Sequence, residues 1–421
     1  MMHTSLRGGI IEKVNLFKNE HGIISSEYPP TKEIISNNLD DLFPFFKYFD
    51  LNDIIEEQLK NIVDRYGKFP SKNKLDVPLW SYDEWIGALF LSNDKKYHKI
   101  GNEILSDVAI NSDTFLRPVY SLTSRKAFSN FTPRVYGLFE VVFENKDIID
   151  KKIYEQYCEI FEKTLLLIQK NDFLPVIDKK GLPLFSQEFK MNLLNSFYYN
   201  NGIKRKVKVF LITILDYRFR KTMKESTNFL FSFLEYLKFN STQKNLYKKL
   251  IKNIMLTDSI PVKTFANEAE YTVCQSTAII DNICDFSYFI ERDIEMINYA
   301  VLLADFFIDI FHKKGYLSRN YETDIVMLDE VMDFAIALKR IYSITSNTEY
   351  RDMAEKIFDS CKIFLCEDTN LHYTYIDMKT NKRTHIDPKY NFLFLKGVII
   401  FELEKGKDIY SDELYSLSKD R

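Results

Sequence analysis

The sequence predicts an all-α fold: an α/α toroid of about six helical hairpins with short β-hairpin loops at one end. Apolar residues recur at steps of three and four along most of the chain, which is the spacing of a helix with one buried face. The helix breakers glycine and proline number only 12 and 11 among 421 residues. A lone hairpin cannot bury both of its apolar faces, so we expect the hairpins to pack side by side.

The clearest hairpin lies between Leu328 and Leu365. Its helices are predicted by apolar residues at helical spacing, which are Leu328, Val331, Ala335, Leu338 and Tyr342, then Tyr350, Met353, Ile357, Cys361 and Phe364. Residues 345–348 predict the turn between the two helices. Related hairpins are predicted around the turns at residues 50–53 and 92–94, where Asp50 or Asn52 would cap the second helix of the earlier one.

The remaining helices continue this alternation along the chain. Pairs are predicted at residues 132–143 and 152–168, 188–199 and 207–219, 222–238 and 246–255, and 268–289 and 293–311, with a last helix at 388–402. Residues 66–70, 172–175, 314–319 and 372–375 combine aromatic residues with Gly, Pro, Ser or Thr, and predict short strands or extended loops. No low-complexity linker interrupts the pattern, so we expect a single domain over residues 1–421.

Composition argues against several classes of function. A formal net charge of -3, from 57 basic and 60 acidic residues, attracts neither nucleic acid nor a membrane surface, and we interpret the basic run at residues 204–208 as a solvated helix face. The 5 cysteines form no CxxC pair and suit a reducing compartment. Without a signal-peptide pattern or a run of about 18 apolar residues, the sequence predicts a cytoplasmic protein with no membrane partner.

The repeat style resembles the six-hairpin glycosidase-type α/α toroids. The resemblance lies in a Gly315-Tyr316-Leu317 loop, a helix that begins at Leu328-Asp329-Glu330, and a turn that leads to Glu349-Tyr350. This group includes glycoside hydrolases, unsaturated glucuronyl hydrolases, some polysaccharide lyases and sugar 2-epimerases. The resemblance implies that a sugar binds in a funnel, which aromatic and acidic residues line at the N-terminal ends of the inner helices.

Three predicted helix starts carry such residues. The densest contains Asp83 beside Trp80, Tyr82 and Trp85, where indole rings could stack on sugar faces. Asp41 lies at the start of the first paired helix, and Glu270 with Tyr271 precedes a long apolar helix. We predict Asp83 and Glu270 as the catalytic acids and Asp41 as a third candidate. Each acid could instead cap its helix or favour the helix dipole.

Further substrate contacts are predicted in the loops between hairpins. Arg117, Arg134 and Arg319 could each hold a carboxylate on an acidic sugar, although an arginine in a loop can also serve only to pin that loop. Tyr120 follows Arg117 closely, and Asp329 lies just before the apolar stripe of the clearest hairpin. These residues complete the predicted substrate site, to which the sequence adds no metal or cofactor motif.

The resemblance implies a carbohydrate-active enzyme that hydrolyses a glycosidic bond with two carboxylates. Such acids lie about 5–5.5 Å apart in retaining enzymes and about 6.5–9.5 Å apart in inverting ones. A sugar epimerase or a polysaccharide lyase on the same fold is the alternative, and His372 and His385 are the histidines that an epimerase would pair. A helical-repeat binding protein without catalysis is the second alternative. No feature of the sequence predicts the oligomeric state.

Overall fold

The computed structural model describes residues 2–30, 39–67, 82–110, 119–121, 126–128, 137–170, 227–254, 273–319 and 323–419. In these ranges the chain forms fifteen α-helices: α1 (Met2–Phe17), α2 (Leu39–Tyr48), α3 (Asn52–Tyr66), α4 (Tyr82–Phe90), α5 (Lys95–Ile110), α6 (Gly137–Glu144), α7 (Lys151–Lys170), α8 (Thr227–Phe239), α9 (Lys244–Ile254), α10 (Val273–Phe289), α11 (Ile294–Lys314), α12 (Leu328–Thr345), α13 (Thr348–Ser360), α14 (Pro388–Val398) and α15 (Asp412–Ser418). The predicted all-α class of helical hairpins is confirmed.

Short strands connect some of these helices. They are β1 (Val119–Ser121), β2 (Lys126–Phe128), β3 (Ile325–Met327), β4 (Leu365–Cys366), β5 (Leu371–His372), β6 (Tyr375–Asp377) and β7 (Lys382–Thr384). All pairings among them are antiparallel: β1 with β2, β4 with β5, and β6 between β3 and β7. Short strands or extended loops were predicted at residues 372–375, where β5 and β6 lie, and at 314–319. In the latter segment the chain leaves α11 through Gly315, whose φ of 77° ends the helix, and continues as a loop.

The described residues group into two compact units. The first contains those within residues 1–54 and 273–419, and the second those within 55–254. The prediction of a single domain over 1–421 stays a prediction. The predicted helices at 188–199 and 207–219 lie outside the described residues. Within the described ranges, no helix is long and apolar enough to span a membrane.

In the first unit, α12 is the central helix. It packs against α10 on one side and α14 on the other, and α14 in turn packs against α2. The partners α11 and α13 pack against the helices that precede them, which forms the hairpins α10–α11 and α12–α13. This side-by-side packing of alternate helices is what the predicted α/α toroid requires. Residues of α12 are buried on every face, including Glu330, Lys339 and Arg340.

A buried ionic network joins α10, α12 and the C-terminal residues of the first unit. Arg340 Nη1 lies 3.1 Å from Asp281 Oδ1 and 3.7 Å from Asp285 Oδ1. The hydroxyls of Tyr410 and Tyr415 donate hydrogen bonds to Asp285 at 3.0 and 2.8 Å. Because both acids sit beside the guanidinium, the charge of Arg340 is compensated although its side chain is almost fully buried.

The N-terminal residues of the first unit pack against its C-terminal residues. The ring of Phe392 in α14 lies 5.5 Å from that of Phe45 and 5.3 Å from that of Phe46, both in α2. Lys13 Nζ of α1 donates a hydrogen bond to the carbonyl oxygen of Asn370 at 2.7 Å. The ring contacts hold α2 beside α14, and the hydrogen bond joins α1 to the loop before β5.

The second unit has an aromatic core. α6 packs against α4, α7 and α8, and α5 packs against α4 and α7. At the centre, the ring of Phe161 lies 4.9 Å from Phe139, 5.2 Å from Phe143 and 4.7 Å from Tyr236. These rings come from α6, α7 and α8, so burial of one aromatic cluster holds the three helices together.

Candidate functional site

Charged and phenolic side chains meet where α2, α12 and α14 begin in the first unit. The sheet of β3, β6 and β7 aligns two of these starts, because β3 runs directly into α12 and β7 ends shortly before α14. The amide of Leu328 donates to the carbonyl of Thr374 at 3.0 Å, and the amide of Thr374 donates to that of His385 at 2.8 Å. We refer to the residues gathered there as the acid–base cluster: Asp41, Arg319, Asp329, Glu330, Asp387, Lys389 and Tyr390.

Short polar contacts hold the cluster together. Lys389 Nζ lies 2.9 Å from Asp41 Oδ2, which links α14 to α2. The hydroxyl of Tyr390 donates to Asp329 Oδ2 at 3.1 Å, which links α14 to α12. The other oxygen of Asp329 accepts the amide of Glu330 at 2.8 Å. The helix starts are therefore joined by side chains as well as by apolar packing.

Glu330 is the most perturbed acid of the cluster. Glu330 is only 4% exposed. Its Oε1 lies 3.3 Å from Arg319 Nε, and its Oε2 has no hydrogen-bond partner among the described residues. Burial, reinforced by the charge of Asp329 and opposed by Arg319, raises the pKa of Glu330 to about 8. At neutral pH Glu330 is therefore mostly protonated and able to donate a proton.

The neighbours of Glu330 also have raised pKa values. Burial raises the pKa of Asp329, but Lys389, the amide of Glu330 and the Tyr390 hydroxyl all favour its ionised form. Asp387 caps α14 by accepting the amide of Lys389 at 2.7 Å, yet burial still raises its pKa to about 7. Burial and then the charge of Asp329 raise the pKa of Tyr390, which keeps its hydroxyl a donor. More groups therefore favour the carboxylate form of Asp329 than favour that of Glu330, where Arg319 alone opposes the effect of burial.

Three of the residues predicted from the sequence come together in this cluster: Asp41, Arg319 and Asp329. Asp83 and Trp85 lie instead in the second unit, at the start of α4, where both are buried. Asp83 packs on the backbone of α6 so closely that a Cβ on Gly137 would lie 2.1 Å from its Oδ2. Asp83, in the first turn of α4, therefore packs against the first residue of α6.

The other predicted site residues are described in part or not at all. The backbone of Tyr82 begins α4 and that of Tyr120 lies in β1. The residues outside the described ranges are Trp80, Arg117, Arg134, Glu270 and Tyr271. The predicted pairing of Asp83 with Glu270 stays a prediction.

Sequence reasoning missed four members of the cluster: Glu330, Asp387, Lys389 and Tyr390. Asp387 followed by Pro388 is a strong helix-start signature, an N-cap acid before a proline in the first turn, and it locates the beginning of α14. Glu330 follows the predicted Asp329 directly. What no local pattern indicates is that α14 and α12 begin side by side.

The histidines considered for an epimerase have different environments. The ring of His372 stacks on Phe394 with centroids 3.9 Å apart, and burial lowers its pKa to about 4, so it is neutral at physiological pH. His385 is exposed, with a φ of 59° in the left-handed region. Among the described residues, no group of three or more His, Cys, Asp or Glu side chains is arranged to hold a metal ion.

Comparison with known proteins yields likenesses of structure. No family model matches the chain, and no curated protein matches it. A sugar epimerase from a ruminal bacterium is similar at 13% identity and a TM-score of 0.49, over 97% of this chain and 100% of the epimerase. An unsaturated glucuronyl hydrolase from Bacillus sp. GL1, responsible for the degradation of glycosaminoglycan, is similar at 9% identity and a TM-score of 0.46, over 89% of this chain and 98% of the hydrolase. Both likenesses concern the fold, and neither bears on the reaction.

Proposed function

We propose that this protein is a carbohydrate-active enzyme that hydrolyses a glycosidic bond with the carboxyl groups of the acid–base cluster. The observation that carries the proposal is the buried Glu330, which keeps one carboxyl oxygen without a partner and sits beside Asp329. Glycoside hydrolysis needs one protonated acid and one ionised carboxylate in the same site. Adjacent groups whose environments separate their pKa values supply that combination.

The two acids have distinct roles in this proposal. Glu330 donates its proton to the glycosidic oxygen as the bond to the leaving sugar breaks. Asp329, fixed by the Tyr390 hydroxyl at 3.1 Å, keeps the negative charge that activates water or stabilises the positive charge at the sugar carbon. Arg319 contacts Glu330 and stabilises its carboxylate once the proton has left.

Variants of both acids test these roles. We expect Glu330→Gln and Asp329→Asn each to lower kcat by about 10²–10⁴-fold, the usual contribution of a positioned acid or base. The purified protein is assayed with a panel of 4-nitrophenyl glycosides and oligosaccharides, and the first anomer released is identified by NMR. Glu349→Gln is the matched control, because Glu349 is an exposed glutamate in the first turn of α13.

The outcomes separate the hypotheses. Unchanged turnover in Glu330→Gln would remove Glu330 from the mechanism, and a large loss in Asp83→Asn would return that role to the acid predicted from the sequence. Sugar binding without turnover of any glycoside would favour the non-catalytic alternative. Glu349→Gln must keep full activity, so that a loss in Glu330→Gln or Asp329→Asn can be assigned to the site.

A further inference from the structure

Among the described residues, the acid–base cluster holds two cations, which act on different acids. Arg319 contacts Glu330, with Nε 3.3 Å from Oε1. Lys389 contacts Asp41, and its charge also favours the ionised form of Asp329. Burial raises the pKa of Asp329, and among the charged groups that oppose this effect Lys389 acts more strongly than Arg319. The carboxylate form of Asp329 therefore depends on Lys389 more than on the other cation of the cluster.

The beginning of α14 fixes the position of Lys389. Asp387 caps the helix by accepting the amide of Lys389 at 2.7 Å, and Pro388 lies in the first turn. The side chain reaches α2, where Lys389 Nζ lies 2.9 Å from Asp41 Oδ2. Only 25% of the Lys389 side chain and 13% of the Asp41 side chain are exposed, so this ion pair is screened less than a surface pair. The backbone and the ammonium group of Lys389 are thus both held in place.

We propose that Lys389 is a positioning residue of the reaction, whose ammonium group, held by Asp41, keeps Asp329 ionised. This inference rests on the proposed function, since it concerns the ionised acid of the same site. Without the ammonium group, burial is opposed less, and Asp329 takes up a proton at higher pH. Asp41 has the opposite influence, because its negative charge offsets that of Lys389. Asp41, predicted from the sequence as a third catalytic candidate, then acts through Lys389 and transfers no proton to the substrate.

The titratable and charged groups around Asp329 come from four helices and one loop. They are Asp41 of α2, Cys274 of α10, Glu330 and Asp333 of α12, Asp387, Lys389 and Tyr390 of α14, and Arg319 in the loop before β3. Asp387 also responds to Lys389, which opposes the rise of its pKa to about 7 on burial. An effect of Lys389 on Asp329 must therefore be separated from its effect on Asp387.

The pH dependence of kcat/KM tests the inference on the full chain, with the 4-nitrophenyl glycoside that the wild type hydrolyses fastest. In the proposed mechanism the acidic limb reports ionisation of Asp329, and the alkaline limb reports loss of the Glu330 proton. We expect Lys389→Met to move the acidic limb up by about one pH unit or more, and Asp41→Asn to move it down. The alkaline limb should stay in place, because the pKa of Glu330 responds to burial, Asp329 and Arg319.

Three further variants show whether the charge of Lys389 causes the shift. Lys389→Arg keeps a positive charge and should leave the acidic limb close to that of the wild type. Asp387→Asn keeps a helix cap but removes the second acid that responds to Lys389, so the shift caused by Lys389→Met should persist in this background. Lys356→Met replaces an exposed lysine of α13 and should change neither limb. Circular dichroism and thermal melting of each variant report whether it folds.

A measurement without turnover separates this inference from the proposed function. Aspartate labelled with ¹³C at its side-chain carboxyl carbon is incorporated, and the NMR signal of Asp329 is identified by its absence in Asp329→Asn. We expect the titration midpoint of this signal to rise in Lys389→Met and to fall in Asp41→Asn.

Each outcome has a distinct meaning. If glycosides are hydrolysed but neither the acidic limb nor the NMR midpoint moves in Lys389→Met, the inference is overturned while the proposed function stands. A shift of equal size in Lys389→Arg would also overturn it, because the charge would then not be the cause. If no glycoside is hydrolysed, the proposed function fails, and the NMR midpoints alone decide whether Lys389 controls the ionisation of Asp329.

Discussion

Replacement of Glu330 by glutamine should stabilise the protein at high pH. Glutamine keeps the shape of the side chain and an oxygen for Arg319, but it cannot ionise. In the wild type the pKa of Glu330 rises from its ordinary 4.5 to about 8 on folding, so the folded state holds this proton more tightly than the unfolded chain. The stabilisation from that proton is complete below pH 4.5 and is lost as pH rises through about 8.

The size of the pKa shift of Glu330 determines how much the free energy of unfolding changes with pH. At about 1.4 kcal/mol for each pH unit, a pKa raised from 4.5 to about 8 corresponds to about 5 kcal/mol, which we take as an upper value. We therefore expect the free energy of unfolding of Glu330→Gln, relative to wild type, to grow by about 3–5 kcal/mol between pH 5 and pH 9.

Urea unfolding at several pH values measures this difference. Wild type, Glu330→Gln and the control Glu349→Gln are compared at each pH, so that all other titrating groups cancel. A wild-type-to-Glu330→Gln difference that stays constant from pH 5 to pH 9 would refute the buried, protonated state of Glu330. The control should follow the wild type throughout, because Glu349 is exposed.

Two further substitutions test packing in the first unit. Arg340→Met should lower the free energy of unfolding by about 3–5 kcal/mol, because Asp285 then stays buried without its cation. Adding Asp285→Asn should recover part of this loss. A loss below about 1 kcal/mol in urea unfolding would contradict the expectation. Gly397→Ala should lower the free energy of unfolding by about 1–3 kcal/mol, because the new Cβ would lie 2.2 Å from Met332 Cε. Gly8→Ala, where a Cβ would meet no atom within 4 Å, should instead stabilise α1 by about 0.5–1 kcal/mol. Equal shifts of the melting temperature in the two variants would show that packing at Gly397 is looser than described.

The clearest hairpin shows what local pattern can predict. The turn expected at residues 345–348 is present: α12 ends at Thr345, Ser346 adopts a φ of 60°, and Asn347 caps α13. Helix period and capping depend on residues a few positions apart, so they are visible in one sequence. The expected second helix ends earlier than its apolar spacing indicates, at Ser360, because Cys361–Phe364 form a 3₁₀ turn that keeps both Cys361 and Phe364 buried.

The candidate site was predictable only in part, for a physical reason. Asp41, Arg319 and Asp329 stand out because each lies at a helix start or in a loop between hairpins. Their meeting depends on Lys389, whose contact with Asp41 joins residues far apart in the chain. The raised pKa of Glu330 arises mainly from burial by tertiary packing. Neither that burial nor a partner far away in the chain can be inferred from the residues next to Glu330 in the sequence.

The contact of α2 with α14 also determines when the first unit can form during synthesis. About 350 residues separate Asp41 from Lys389, and a ribosome that adds about 5–20 residues per second needs about 20–70 s to pass from one to the other. During that interval the phenylalanines of α2, including Phe45 and Phe46, have no Phe392 to cover them. The nascent chain therefore leaves these apolar side chains without that cover until α14 has been synthesised, and chaperones that bind apolar helices have a target in α2 during that interval.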